Sequence, residues 1–584
     1  MPKNSYWLMV SLCLTACHST SGRKHQDWFG NTTPPARQVL VFDNWGEPNS
    51  LDPALADSTF ATNVVGALFD GLVQNNPLTT QPMAALATHY EVAPDGMQLK
   101  FYLRGHPNPK GIRLPDSESL PAEYSRGIHA PPDSVPARWS DGVIITAHDF
   151  VYAWRRAVDP RTAAPAGSYL SMIKNAPQIL TGKISPRELG VRAPDDFTLV
   201  VDLEEPAPYL LSLLTHCVFK AVPRHVVGKA RRSGDEERWL KPEFIVTSGP
   251  FVLAQWRPYD SIRMRRSRTY YQADLVGLDE VTFLPVSADP AVANLYRAGN
   301  TQAMELSTLP EALTPALVSK KDFRADPMLG VEAYSISVHR PPFDTVLLRY
   351  ALNMSLDKEA IGHYLNVQPA KSMLSPSDEY RAPQSLPVTI NGRQYDVLEY
   401  NQAAARELLA LAGYPDGLGK DGKRFAFDVR TVNSPTELNM AQILARQWLT
   451  NLHIEARVRP GEFNVVVPEM RSGNFFGVIY DGWLADFMDP MAMLTPTFVT
   501  DASGGWTDSE YLALLREANR TFEPQARLKI LARAEARLLH EMPILPLTFE
   551  EKHSLQKPYV HGLHPDLLDA HSFRYAWIDT RWKP

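Results

Sequence analysis

Within eleven residues, Tyr480-Asp481-Gly482-Trp483-Leu484-Ala485-Asp486-Phe487-Met488-Asp489-Pro490 gathers three carboxylates, a phenol and an indole. Carboxylates this close could share acid–base work, but pairing Asp486 with Asp489 as catalysts requires a measured separation. The same aspartate could instead cap a helix entering at Pro490. Nothing else in the chain completes a hydrolase. No G-x-S-x-G elbow occurs, and His540-Glu541 lacks the second histidine of a zinc-protease helix. His561, His564 and His571 invite a metal reading, yet no carboxylate or cysteine completes a ligand set at useful spacing, so they read as polar loop residues. No cofactor is expected. Arg263, Arg265, Arg266 and Arg268, followed by Tyr270 and Tyr271, imitate a nucleic-acid patch. Ile262 and Met264 alternate with Arg263 and Arg265, however, as in a half-buried strand with one solvated face.

The elements that must position such residues mix helix and strand. In Trp139-Ser140-Asp141-Gly142 the aspartate can bond its own backbone and the glycine is free to take positive φ, which is turn chemistry. Val143 to Ile145 is β-branched and reads as a short strand, and Thr146 with Asp149 three residues on makes a capping-box-like helix start, completing an ordinary turn-strand-helix unit. Phe150, Val151, Trp154 and Val158 follow at helical spacing. Gln38 to Phe42 and Thr198 to Leu203 read as strands. Ser434-Pro435-Thr436-Glu437 opens a helix, with serine as cap and proline at the first turn. Leu438, Ala441, Ala445, Trp448 and Leu452 line one of its faces, and Ile454, Ala456 and Val458 alternate as the next strand. Asn401 to Leu411 is a further helix with Gly413 at its C-terminal end. Helices from about Asp508 and Pro524 lead to an apolar strand, Ile544 to Leu547. Strands alternating with helices indicate α/β domains.

At 584 residues the chain is too long for one hydrophobic core, and two or three domains are expected. A net charge of −6 gives no global reason to expect nucleic acid. Between Arg104 and Arg138 lies a Pro-, Gly- and Ser-rich stretch, and a structureless loop of that length is uncommon inside a compact domain. At the N-terminus, Lys3 precedes an apolar run from Tyr6 to Leu14, too short to span a bilayer and patterned as a secretion signal. Its ending, Leu14-Thr15-Ala16-Cys17, resembles a bacterial lipoprotein box, which would make Cys17 the lipidated first residue; a plain secretory signal cut nearby is the alternative. With Cys13 in the signal and Cys17 lipidated, Cys217 stands alone without a disulfide partner, and its leucine-rich neighbourhood marks it as a buried small hydrophobe.

Residues 139–160, WSDGVIITAHDFVYAWRRAVDP, resemble the signature of the extracytoplasmic oligopeptide-binding receptors of peptide ABC transporters, family 5 of the bacterial solute-binding proteins. Further matches follow in family order: Ser50-Leu51-Asp52-Pro53, Leu68-Phe69-Asp70-Gly71-Leu72, Ser168-Tyr169-Leu170, Leu278 to Phe283, Arg340 to Asp344, and Leu348 to Leu352 with Leu356-Asp357-Lys358. The resemblance implies an α/β, periplasmic-binding-protein-like type II fold, with two lobes around a ligand cleft and an extra third domain. Lobe I would comprise 37–69, 227–329 and 552–584. The extra domain II would span 70–226 with a Pro-rich insertion near 105–138, and lobe III 330–551. Residues 1–16 would be the signal and 17–36 a flexible tether. The chain crosses between lobes twice, as a closing hinge requires.

In the same family, the Gly-Trp-x-Ala-Asp-Tyr site receives the peptide's α-ammonium on its aspartate, and Asp486 is the matching position. A carboxylate shut away from water needs a cation, and an ammonium brings charge and three donors. Trp483 would wall the first peptide residues. Asp57 and Thr59 match contacts from the first lobe, and Tyr169 an aromatic facing the ligand. Arg471 aligns with one cation for the peptide's C-terminus, with solvated surface arginine as the plainer reading; Tyr480 replaces another cation. The resemblance thus implies a monomeric, non-enzymatic, lipid-anchored receptor outside a bacterial membrane. It would capture oligopeptides with high affinity, partly through strand-like backbone hydrogen bonds, and deliver them to an ABC permease. Alternatives are a same-fold receptor for dipeptides, murein peptides or a metal chelate, and a secreted hydrolase.

Overall fold

A computed structural model describes residues 27–287, 289–306, 314–377, 379–495 and 505–584; the signal segment 1–16 and Cys17 lie outside the described residues. None of the helices in the described residues is long and apolar enough to cross a membrane. The core of the molecule is an 11-stranded sheet. Along it run Glu455–Gly461, Ala426–Val432, Gly477–Tyr480, Phe323–Ile336, Ile544–Gln556, Ala303–Leu306, Val39–Asp43, Glu280–Leu284, Ser261–Arg266 and Phe251–Arg257, with Trp483–Leu484 paired to one edge of Phe323–Ile336. Each end of this path belongs to a different lobe.

Phe323–Ile336 and Ile544–Gln556 pair antiparallel at the centre of this sheet. Their register slips between Pro327 and Val331, because proline has no N–H to give the ladder. There the Leu329 N–H turns to Leu567 O at 2.8 Å, and Leu329 O accepts from Ala485 N at 2.8 Å. The break in the ladder is thus tied directly to the loop that carries Asp486.

A separate five-stranded sheet builds the third domain, in the order Ile112–Arg113, Ala87–Val92, Gln98–Leu103, Thr198–Asp202, Val191–Asp195. Helix Ala147–Ala157 packs beside it, burying Phe150 and Trp154, with Trp154 Nε1 donating to Phe219 O at 2.8 Å. The expected capping box is present, Thr146 N donating to Asp149 Oδ2 at 2.9 Å.

Most sequence-expected elements occur within a residue or two of their anticipated ends. Ser434 caps Pro435–Leu452, Asn401 caps Gln402–Leu411, and Asp508 and Glu523 cap Ser509–Asn519 and Pro524–Glu541. Ile262 and Met264 are buried in Ser261–Arg266, while Arg265 and Arg266 pair with Glu280 and Asp279 at the surface. Three expectations change. Val143 to Ile145 forms only an isolated bridge, Arg138 to Ile144, since the stretch is too short to ladder. The stretch after Arg104 is not structureless: Leu120 and Tyr124 bury against Met83, Leu275 and Tyr575, and a short strand and helical turns follow from that anchoring. The flexible tether expected through residue 36 ends sooner. Phe29 stacks on Tyr296 at 6.3 Å, and its N–H donates to Asp322 at 3.0 Å.

Candidate functional site

Tyr169 sits on the one-turn helix Gly167–Leu170 of the third domain, and Asp486 on the loop between Trp483–Leu484 and Met491–Leu494 of the other side. The Tyr169 hydroxyl donates to Asp486 Oδ2, closing a hydrogen bond across 317 residues of chain. Among the described residues no cationic side chain lies within 4.0 Å of Asp486. Burial pushes its pKa above the ordinary carboxylate value, and the Tyr169 hydroxyl offsets only part of that. The same burial, with the neighbouring carboxylate, raises the Tyr169 phenol. A carboxylate so placed lacks a counter-charge and a second strong donor.

Two neighbours were not singled out from the sequence as site residues. His216 meets the Tyr169 ring edge-on at 5.0 Å and is depressed to about 4 by burial and then by Lys220. It is therefore neutral at physiological pH and supplies no cation. Cys217 is buried and free, as expected, with its thiol pushed up to about 12 by burial. Its Sγ contacts Ala56 O at 3.7 Å, which brings the first-lobe segment leading into helix Thr59–Leu68 to the same place. Asp57 is exposed on that segment and Thr59 half-buried at the start of the helix.

The helix-capping alternative for Asp486 fails, because Asp489 does that work. Asp489 Oδ1 accepts from Met491 N at 2.9 Å, and Arg527 grips its carboxylate at 2.7 and 2.9 Å. Asp489, already neutralised, is not a free acid–base partner for Asp486. Beside it Phe487 stacks on Tyr209 of the third domain at 5.4 Å, and Arg527 lies over the same ring at 5.9 Å. These contacts latch the two sides next to Asp486.

Trp483 is half-buried, its indole N–H donating to Ala492 O at 3.2 Å. Tyr480, where the family resemblance expects a cation, has acidic surroundings. Tyr480 donates to Glu332 Oε1 at 3.3 Å, and burial followed by Glu550 and Glu437 pushes Glu332 well up. Glu437 is likewise raised, to about 7, by burial and then Glu550. Arg471 is exposed in the last turn of Phe463–Ser472 and shares no hydrogen bond or ion pair with Asp486, Tyr169 or Trp483 among the described residues.

One histidine does meet carboxylates that its sequence spacing hid. Ligand atoms of His571, Glu305 and Asp569 lie within 4.8 Å of one another in the buried interior. Lys552 Nζ bridges Glu305 at 2.8 Å and Asp569 at 2.9 Å, so an ammonium already supplies the cation this cluster needs. His564 stands apart beside Glu123 at 3.8 Å.

Comparison with known proteins places this geometry. The "Probable deoxycholate-binding periplasmic protein YgiS" of Escherichia coli is 30% identical over 91% of this chain and 92% of its own. The periplasmic oligopeptide-binding protein OppA of Salmonella typhimurium is 29% identical over 95% of each chain. Among solved structures, Haemophilus influenzae OppA in complex with the peptide RPPGFSPFR superposes with a TM-score of 0.71 at 27% identity, covering 94% of this chain and 100% of that one. The Escherichia coli murein tripeptide-binding protein MppA gives 0.72 at 26% identity, over 94% and 99%. Residues 136–505 match the model described as the middle part of bacterial extracellular solute-binding proteins, family 5, so this two-lobed α/β chain belongs to that family.

Proposed function

We propose that this chain is the substrate-binding component of an ABC importer, capturing oligopeptides between its lobes by ammonium recognition at Asp486 and backbone hydrogen bonding. The observation that carries the reading is a half-buried carboxylate at the seam whose partner among the described residues is a neutral phenol from the opposite side. A ligand ammonium would supply the missing charge and donors. A bile-type carboxylate would add a second negative charge to the same spot and to the acidic flank formed with Glu332 and Glu437. Trp483 walls the first peptide residues in this reading, Tyr169 fixes the aspartate, and Asp57 and Thr59 contribute from the first lobe. Arg471 takes the far end only of a peptide long enough to reach it. Lipidation at Cys17 would hold a monomeric receptor at the membrane beside its permease. We divide the chain as lobe I, 37–69, 227–329 and 552–584; domain II, 70–226; lobe III, 330–551.

Calorimetry on four combinations tests the assignment: wild type and Asp486→Ala, each with a free and an N-acetylated tripeptide. Orphaning one member of a buried charge pair costs about 3–5 kcal/mol. Either change alone should therefore weaken binding by roughly 150- to 5000-fold, and the acetyl group should matter little in the mutant. Normal binding of the free peptide by Asp486→Ala would sink the proposal. The bound peptide should be recovered uncleaved.

A further inference from the structure

A second cleft, lined mainly by the third domain and remote in sequence from Asp486, is one the peptide reading does not use. It has a volume of about 520 Å³ and opens at the surface between helix Ala147–Ala157, the turn Pro186–Glu188 and helix Arg224–Ser233. Six arginines line it against one aspartate. Most have carboxylates to answer them. Arg156 is gripped by Asp52 at 2.9 Å, Arg161 and Arg231 share Asp159 at 2.7 and 3.5 Å, and Arg224 stands 3.5 Å from Asp149. Arg155 and Arg187 have none within 4.0 Å among the described residues.

Arg155 donates one long hydrogen bond, to Val191 O at 3.4 Å, while its buried Nε has no partner. The buried Tyr152 hydroxyl, on the same helix and lining the same cleft, is also without one. Burial and then the neighbouring Arg187 charge both lower the Arg155 pKa, so the pair repel one another across the cleft. Buried polar atoms without partners are rare in folded proteins. Two guanidiniums with no carboxylate among the described residues, Arg187 exposed and Arg155 half-buried, line one cleft with Tyr152, and an acceptor with several oxygens and negative charge would answer them. A tetrahedral phosphate matches the arginine fork in geometry and charge.

We propose that this cleft binds a phosphate-bearing anion, held by Arg155 and Arg187 with a hydrogen bond from Tyr152. A free phosphate and the phosphodiester of an anionic lipid headgroup share that chemistry. Calorimetry on the full chain in about 50 mM salt, where screening is modest, separates them. The probes are inorganic phosphate, pyrophosphate, and monomeric dihexanoyl phosphatidylglycerol with its phosphatidylcholine counterpart as a zwitterionic control. Binding by the first two alone identifies a soluble phosphate. Binding of the phosphatidylglycerol at least tenfold tighter than inorganic phosphate identifies a headgroup. In either case Arg155→Gln/Arg187→Gln should weaken the anion at least tenfold and Tyr152→Phe severalfold. Tripeptide affinity should stay unchanged in both variants, which shows that they are folded and keeps this result separate from the Asp486 test. No heat with any anionic probe at millimolar concentration, or undiminished binding by the double variant, overturns the proposal.

Discussion

Glu535 has no exposed surface, yet it is a carboxyl group. Its oxygens accept from Met373 N at 2.7 Å, Leu374 N at 3.1 Å and the Tyr380 hydroxyl at 2.8 Å. Burial nevertheless outweighs these bonds and raises its pKa from 4.5 to about 7. Between those values the folded protein keeps a proton that the unfolded chain releases. This group's contribution to stability is therefore full below about pH 4.5, falls as the pH climbs to about 7, and is level above. Asp481 follows the same course from 3.8 to about 7. His216 and His571, both depressed to about 4, act oppositely and lose stability as the pH falls from 6.5. The opposing slopes fall in the same pH window and offset one another, so a difference measurement isolates one group. Glu535→Gln keeps an acceptor for the backbone donors and cannot ionise. It should match wild type near pH 5 and exceed it at pH 8 by roughly 2–3 kcal/mol in urea unfolding. A constant gap across that range would show that Glu535 is not the titrating group. Asp486 is proposed as a site residue from the sequence because tryptophan stands three positions before it in a known word. Glu535 is not, since nothing in an ordinary amphipathic helix marks which acid turns inward.

At the scale of elements, the seam depends on a small latch. Tyr209 stacks on Phe487 with ring planes 22° apart, and the Arg527–Asp489 pair braces both. An aromatic pair contributes about 0.5–1.5 kcal/mol beyond its buried area. Because the pair bridges the third domain and the loop carrying Asp486, that energy belongs to the shut arrangement. Tyr209→Ala should weaken peptide binding about tenfold, chiefly through faster release in stopped-flow displacement, with little change in association. An unchanged off-rate would mean the latch carries no load in closure. Such partners escape sequence reading for a plain reason. Tyr209 and Phe487 are brought together only by the packing of separate domains, whereas caps such as Ser434 and Thr146 are set by residues three places away and are read directly. The opposite error, a strand expected at 143–145, arose because β-branched residues favour strand only where a neighbour is available to pair. The Pro-rich stretch after Arg104 misled in another way: its composition is loop-like, but Leu120 and Tyr124 suffice to fasten it.

For the whole molecule, the central question is what keeps the lobes from shutting without a guest. In the proposed division Phe323–Ile336 and Ile544–Gln556 join the lobes, and their ladder breaks between Pro327 and Val331, so bending there disturbs few hydrogen bonds. The sheet itself therefore sets little of the balance between open and shut. The charge on Asp486 does more in the proposed reading, because it is held half-buried against Tyr169 with no cation among the described residues. A ligand shifts a two-state equilibrium only by its differential affinity for the two states. An ammonium has that difference built in, since it pairs with the aspartate only when the site is dry. If this is the gate, removing the charge should do the ligand's work. Asp486→Asn keeps the shape and can still accept from Tyr169, but it lacks the ionic desolvation penalty. Small-angle X-ray scattering should then give unliganded Asp486→Asn the smaller radius of gyration of peptide-bound wild type, with no further contraction on adding peptide. Unliganded wild type should be measurably larger. A variant as extended as ligand-free wild type would show that the aspartate recognises the peptide without governing the jaws, and would move the source of closure to the Tyr209–Phe487 latch.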